Sequence, residues 1–381
     1  MNKPQAELIL ENLYRKAFSN VKANKTDFSS QIDGETLKEL NLLIEKSVEQ
    51  KAVITVLITS LTKKMDNPRQ DIRLHKAEFK GGYSGRGYDT RFITPFLKNN
   101  FPKIAMKESG WLTRSIEQSH PFDVNFPGKI RSLEAKKSFL DIIDKIESGK
   151  IFSEQLLEYL LTLLIKKFKE DASGIKTLLN INDESMIIKI IEKMHSHFAT
   201  RKSSFLPVMA VYSIYQVVTR EISRYKGKKL LSLKGHTTAD TKSHSVGDIE
   251  IVNENGKLFE GLEIKHNLKI DYYIVLDVIN KIKGKRLKRF YILTTASPEI
   301  KEGEVHKINA IIAKFKDDEG CEIVVNGVLP TIRYYLRLIN TPKDFVLQYT
   351  NNLIYFYENS SLILKDHIDA WKTLSSDLKR K

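Results

Sequence analysis

A single cysteine, Cys321, occurs in 381 residues. One thiol excludes an internal disulfide and any cysteine-rich zinc site. Nowhere do about 18 apolar residues follow one another, so no membrane-spanning helix is expected. The opening stretch MNKPQAELILENLYRKAF carries acidic side chains among its apolar ones, unlike a secretory signal. A reducing, cytoplasmic setting is therefore expected. There is no internal repeat, no low-complexity tract, no G-x-x-x-x-G-K-[ST] phosphate loop and no methyltransferase-like glycine fingerprint. Negative charge is also in short supply. Lys and Arg total 62 against 47 Asp and Glu, a formal charge of +15, with a pI near 9.4. That balance favours a polyanionic partner, nucleic acid before a membrane surface. A lysine-rich solvated surface is the competing explanation.

Hydrophobic residues make up 41% of the chain, enough for a sizeable core and two domains. Residues 1–65 and 132–200 repeat apolar positions at helical spacing, as in Leu8, Ile9, Leu10, Leu13 and Phe18. Between them, residues 76–130 concentrate glycine, proline, aromatics and arginine without a clean period. Composition shifts near residue 200, dividing the chain into a mainly helical region (1–200) and a second domain (201–381). In the second, Val211, Ile214, Tyr215, Val218, Ile222 and Tyr225 mark one face of a helix that Pro207 can open. DIEIV, LFEGLEIK, RFYILTT and CEIVVNG read as strands, DYYIVLDVINKIKGK as a helix, and the tail from Thr331 as mostly helical. An α/β fold follows, a mixed sheet flanked by helices beside a large helical N-terminal region.

The stretch GDIEIVNENGKLFEGLEIK, Gly247–Lys265, carries the chemistry. Asn255-Gly256 is a strong signal for a two-residue type I′ hairpin turn. Such a turn sets Glu250 opposite Gly261 and Asp248 opposite Glu263. Alternation then puts Asp248, Glu250, Glu263 and Lys265 on one face, with Ile249, Ile251, Leu262 and Ile264 on the other. Like charges about 4 Å apart repel by about 4 kcal/mol at an effective dielectric near 20. Lys265 offsets part of this. A hard divalent cation such as Mg²⁺, held by few protein oxygens, offsets it more completely. The competing reading is a solvated, salt-bridged face. Acid-x-Lys triplets are common here, beginning at Glu49, Glu78, Glu134, Asp240, Glu263, Glu299 and Asp377. Only the one at Glu263 ends a strand whose expected neighbour presents an aspartate.

Gly247-Asp248 opening one strand, Glu263-Ile264-Lys265 closing the next, and the helix and buried strand that follow resemble the PD-(D/E)XK nuclease superfamily, home of most type II restriction endonucleases. The resemblance covers residues 205–300. No proline precedes Asp248, a departure familiar in that family. What it implies is a restriction-endonuclease-like core in which Asp248, Glu263 and the Ile264 carbonyl ligate Mg²⁺, with Mn²⁺ able to substitute. Lys265 would orient or help deprotonate the attacking water. The family often adds an acidic residue on the helix before the first motif, for which Glu221 is the candidate. Glu250, on the same expected face, is a second candidate ligand. Each is otherwise an ordinary surface glutamate. Asp240 starts a rival triplet without strand alternation. His236, His244 and His266 flank the motif without zinc spacing and are expected in solvent.

The resemblance further implies a stand-alone, Mg²⁺-dependent restriction endonuclease acting on double-stranded DNA at a short sequence. A homodimer would match palindromic targets, and a cognate DNA methyltransferase is the expected companion. Backbone contacts are open to Lys226 and Lys228 in one basic run and to Lys285 and Arg286 in another. In GGYSGRGYDTRF, glycines permit close approach and Arg86 and Arg91 suit guanine readout, as does Arg114 in WLTRS. The same segment is equally a connector whose aromatics pack inward. Two other functions remain open: a repair, resolvase or transposition nuclease on the same core, and a non-catalytic basic DNA-binding protein.

Overall fold

A computed structural model describes residues 3–176, 187–233, 245–376 and 378. The chain divides into two compact units, Met1–Asp171 and Ala172–Lys381.

The first unit comprises α1 (Gln5–Lys22), α2 (Gly34–Glu45), α3 (Lys51–Asp66), α4 (Gly85–Tyr88), a π-helical turn (Asp89–Ile93), α5 (Thr94–Asn100), α6 (Leu133–Glu147) and the greater part of α7 (Ser153–Lys176). Every residue of α3 from Val53 to Thr62 is buried, as expected of a helix apolar on all sides. Its threonines satisfy themselves locally: Thr55, Thr59 and Thr62 hydroxyls donate to carbonyls four residues back, at 2.9, 2.7 and 2.7 Å. In the irregular 76–130 segment the aromatics turn inward. Trp111, Phe122 and Phe126 are buried, and the His75 ring stacks on Phe122 at 3.9 Å.

The second unit comprises α8 (Ile187–Phe198), α9 (Phe205–Glu221), β1 (Lys228–Leu230), β2 (Ile249–Asn253), β3 (Leu258–Lys265), α10 (Tyr272–Ile282), β4 (Arg289–Thr294), α11 (Val305–Glu319), β5 (Glu322–Gly327), α12 (Val328–Leu336), α13 (Pro342–Asn359) and α14 (Lys365–Ser376). It begins earlier than the composition shift near residue 200, because Ile190, Met194 and Phe198 of α8 belong to its core. The five strands run in the order β1-β2-β3-β4-β5. β1, β2 and β3 form an antiparallel meander, and β4 and β5 are parallel to β3. One face of this mixed sheet (Ile249, Ile251, Leu262, Ile264, Leu293) packs on α9, α12 and α13. The other (Phe290, Ile292, Ile323) packs on α10 and α11. The sequence did not suggest β1, whose residues Lys228 and Lys229 suit an edge strand that resists further pairing. Cys321 is buried, and burial pushes its thiol up to about 11, so it packs without reacting. No helix among the described residues is long and apolar enough to cross a membrane.

The hairpin departs from its expected turn and still reaches the expected register. Gly256 alone takes positive φ, +71°, and Asn255 does not; a type I′ turn needs both. The Gly256 N–H instead donates to the Asn253 carbonyl at 2.9 Å, closing a turn centred on Glu254-Asn255. This shifts the first pair by one residue, to Val252↔Leu258. A bulge at Phe259 then restores Ile251↔Glu260, Glu250↔Gly261 and Ile249↔Leu262.

Both units bury histidines in the neutral form, His75 in the first and His197 with His367 in the second. Burial lowers His75 and His197 from about 6.5 to about 4. His75 nitrogens lie 3.3 and 3.2 Å from the carbonyls of Arg73 and Gln118. His197 nitrogens lie 2.8 Å from the Tyr349 hydroxyl and 2.8 Å from the His367 carbonyl. The unfolded chain protonates these rings near 6.5 and the folded protein only near 4. Stability is therefore full above the unfolded value and lost as pH falls toward the folded one, by on the order of 3 kcal/mol per ring. Urea midpoints should fall between about pH 7 and about pH 5, with His197→Gln flattening part of the fall for the second unit, where burial also lowers His367. A wild-type midpoint independent of pH over that range would contradict this.

Candidate active site at the end of the β2–β3 hairpin

Ladder pairing between β2 and β3 ends at Ile249↔Leu262. One residue further, Asp248 turns its side chain back onto the partner strand. Its Oδ2 accepts the Ile264 N–H at 2.8 Å, in place of the next ladder bond. Gly247 makes this possible, since a Cβ there would lie 2.5 Å from the Leu262 carbonyl oxygen. In an extended strand the N–H and C=O of one residue point to the same side. The Ile264 carbonyl therefore also faces the gap at the end of β2.

Glu263 and Lys265 project from the α10 face of β3. Glu263 is 8% exposed, and its Oε1 accepts from Lys265 Nζ at 2.6 Å. A further cation serves this cluster from α10. Burial works to lower the pKa of Lys281. The 2.9 Å bond to Asp277 and the charges of Glu263, Asp277 and Asp248 outweigh it and hold the amine above its ordinary value. The sequence marked Lys281 only as part of a basic run. No sequence signal ties it to the two acids, because the helix crossing that brings it near them is tertiary.

The structure thus gathers Asp248, Glu263, Lys265 and the Ile264 carbonyl. It places the other two candidate ligands elsewhere. Glu250 Oε1 accepts the Val246 N–H at 2.6 Å and lies 3.0 Å from the Ser245 hydroxyl, fastening the segment that delivers Asp248. Glu221 lies on α9, across the sheet from Glu263, and its Oε2 accepts the Asn340 N–H at 2.6 Å. Among the described residues, no three or more His, Cys, Asp or Glu side chains gather in a metal-holding group. The donor set on offer is two carboxylates and a carbonyl, hard oxygens that fit Mg²⁺ with most of its waters retained. His266 is half-buried and not free in solvent. Its Nδ1 lies 2.9 Å from Thr295 Oγ1 and its Nε2 3.1 Å from Ser203 Oγ. Burial lowers its pKa. His236, Asp240 and His244 lie outside the described residues.

The basic candidates are dispersed. Lys226, Lys285 and Arg286 are exposed, while Lys228 Nζ sits 4.8 Å from the Phe259 ring centroid. In the first unit Arg114 is exposed, Arg86 lies 3.7 Å from Glu117 and Arg91 covers the Phe92 ring at 4.9 Å. The glycine beside Arg86 serves packing, since a Cβ on Gly85 would lie 2.6 Å from the Trp111 ring.

Sequence reading passed over Glu260, three residues before Glu263 and on the opposite face. It is 0% exposed. Tyr215 and Tyr225 hydroxyls donate to its Oε1 at 3.0 and 3.2 Å, and Arg224 donates to Oε2 at 2.8 Å. This buried network ties α9 and the chain entering β1 to β3. Glu260→Ala leaves those donors without their acceptor and should cost about 3–5 kcal/mol in urea unfolding. A loss below about 1 kcal/mol would show that the network carries no weight. Neither a family model nor a curated protein matches the sequence.

Proposed function

We propose that this chain is a Mg²⁺-dependent endonuclease of the PD-(D/E)XK type, hydrolysing phosphodiester bonds of double-stranded DNA at a specific short sequence as a type II restriction enzyme does. The observation that carries it is the junction of Asp248, Glu263 and Lys265 at the open end of an antiparallel hairpin. A helix and a buried parallel strand follow in the order the resemblance implies.

Asp248, Glu263 and the Ile264 carbonyl would hold the ion. When bound, Mg²⁺ lowers the pKa of a coordinated water and stabilises charge on the phosphodiester. The chain's own residues do the rest. The Ile264 N–H fixes one oxygen of Asp248 and with it the direction of the carboxylate. Lys265 keeps a positive charge beside Glu263, where it can steady an attacking water and the negative charge growing on phosphorus. Hydrolysis joins the water oxygen to phosphorus and breaks one P–O bond. The water gives up a proton and the departing sugar oxygen gains one.

The basic balance of the chain, +15, supplies the general attraction for DNA. A homodimer acting beside a cognate methyltransferase belongs to the same proposal. The 2.6 Å Glu263–Lys265 ion pair also suits a second reading, a non-catalytic DNA-binding protein whose carboxylates only make salt bridges.

Digestion of unmethylated phage DNA with Mg²⁺ separates these readings. Wild type should give discrete fragments, and Lys265→Ala should lose activity by about 100-fold or more. Intact DNA under wild type would favour the binding protein. Preference for junctions or damaged DNA would point to a repair or recombination nuclease.

A further inference from the structure

α12 starts directly at the end of β5, and Lys265, Thr294 and Gly327 lie in one row across the parallel strands. The helix therefore leaves the sheet from the end at which Lys265 stands. Its residues Val328, Ile332 and Leu336 are buried in the core, while Arg333, Tyr334 and Arg337 face outward. With Ile191 of α8, Leu329 and Pro330, these three line an open groove of 630 Å³.

Tyr334 is 58% exposed. It meets Tyr335 edge-to-face at 5.7 Å, and the Tyr335 hydroxyl lies 3.2 Å from that of Tyr215 in the Glu260 network. The exposed ring thus leans on an anchored one. Among the described residues neither Arg333 nor Arg337 forms an ion pair. Standing one helical turn apart, the two guanidinium groups repel each other.

We propose that this groove binds a single-stranded nucleic-acid segment. Arg333 and Arg337 take neighbouring phosphates, a base stacks on Tyr334, and Leu329, Pro330 and Ile191 form the apolar floor. An acidic peptide would match the arginines but has no flat ring to stack on the tyrosine. A duplex keeps its base faces occupied, which favours an unpaired strand. This rests on the nuclease reading and deepens it, adding a strand contact outside the carboxylate site.

The test is fluorescence anisotropy with a labelled oligonucleotide, as single strand and as duplex, in EDTA so that nothing is cleaved. Tyr334→Ala should weaken single-strand binding by about 10-fold and Tyr334→Phe should not. Replacing both arginines by alanine should lower the slope of log K against log salt by about 1.4, two phosphate contacts at about 0.7 each. Unchanged affinity and slope in the variants, equal competition by polyglutamate, or no binding by wild type would overturn the groove. The outcome is separable from cleavage. Binding with these dependences but no Mg²⁺-dependent cutting removes the nuclease reading alone. Cutting with unchanged binding in the variants removes the groove alone.

Discussion

Two carboxylates on adjacent strands repel, and this fold holds them together through its backbone. The Ile264 amide binds Asp248 where the ladder stops, Gly247 lets the chain pass against β3, and Glu250 fastens the approach through Val246. Lys265 and Lys281 supply compensating charge from the strand and from α10. A divalent cation between the two carboxylates would relieve the repulsion that these contacts leave. That repulsion is the constraint from which the proposed chemistry follows.

β3 serves two ends at once because its side chains alternate. Glu260, on the α9 face, is consumed by two tyrosines and an arginine and stabilises the unit. Glu263, three residues on, faces the other way and has the Lys265 amine as its partner. The same residue type is structural on one face and available on the other. Burial and the number of fixed donors decide which. The Glu260 network continues through Tyr215 to Tyr335, behind the exposed Tyr334, so one buried carboxylate also steadies the α12 surface.

Much of this was legible in the sequence. LFEGLEIK coincides with β3, and RFYILTT with β4 except for its last threonine. Strand alternation needs only local information, and it correctly separated Glu263 and Lys265 from Leu262 and Ile264. The turn was misread because Asn-Gly suits two geometries. The register survived because the bulge at Phe259 cancelled the shift. Tertiary facts were beyond reach. Glu221 and Glu250 looked like candidate ligands, yet backbone amides from Asn340 and Val246 engage them. Nothing in the local pattern foretold that α8 joins the second core, while the inward packing of the aromatics around Arg86 was one of two readings that the pattern left equal.

Calorimetric titration with Mn²⁺ tests the central claim most directly, since it reads the relief of repulsion between Asp248 and Glu263 without needing a DNA target. Wild type should bind the ion saturably, and both Asp248→Asn and Glu263→Gln should abolish the heat while leaving thermal unfolding nearly unchanged. A wild-type protein that binds no ion, or variants that bind it as well as wild type, would contradict the account.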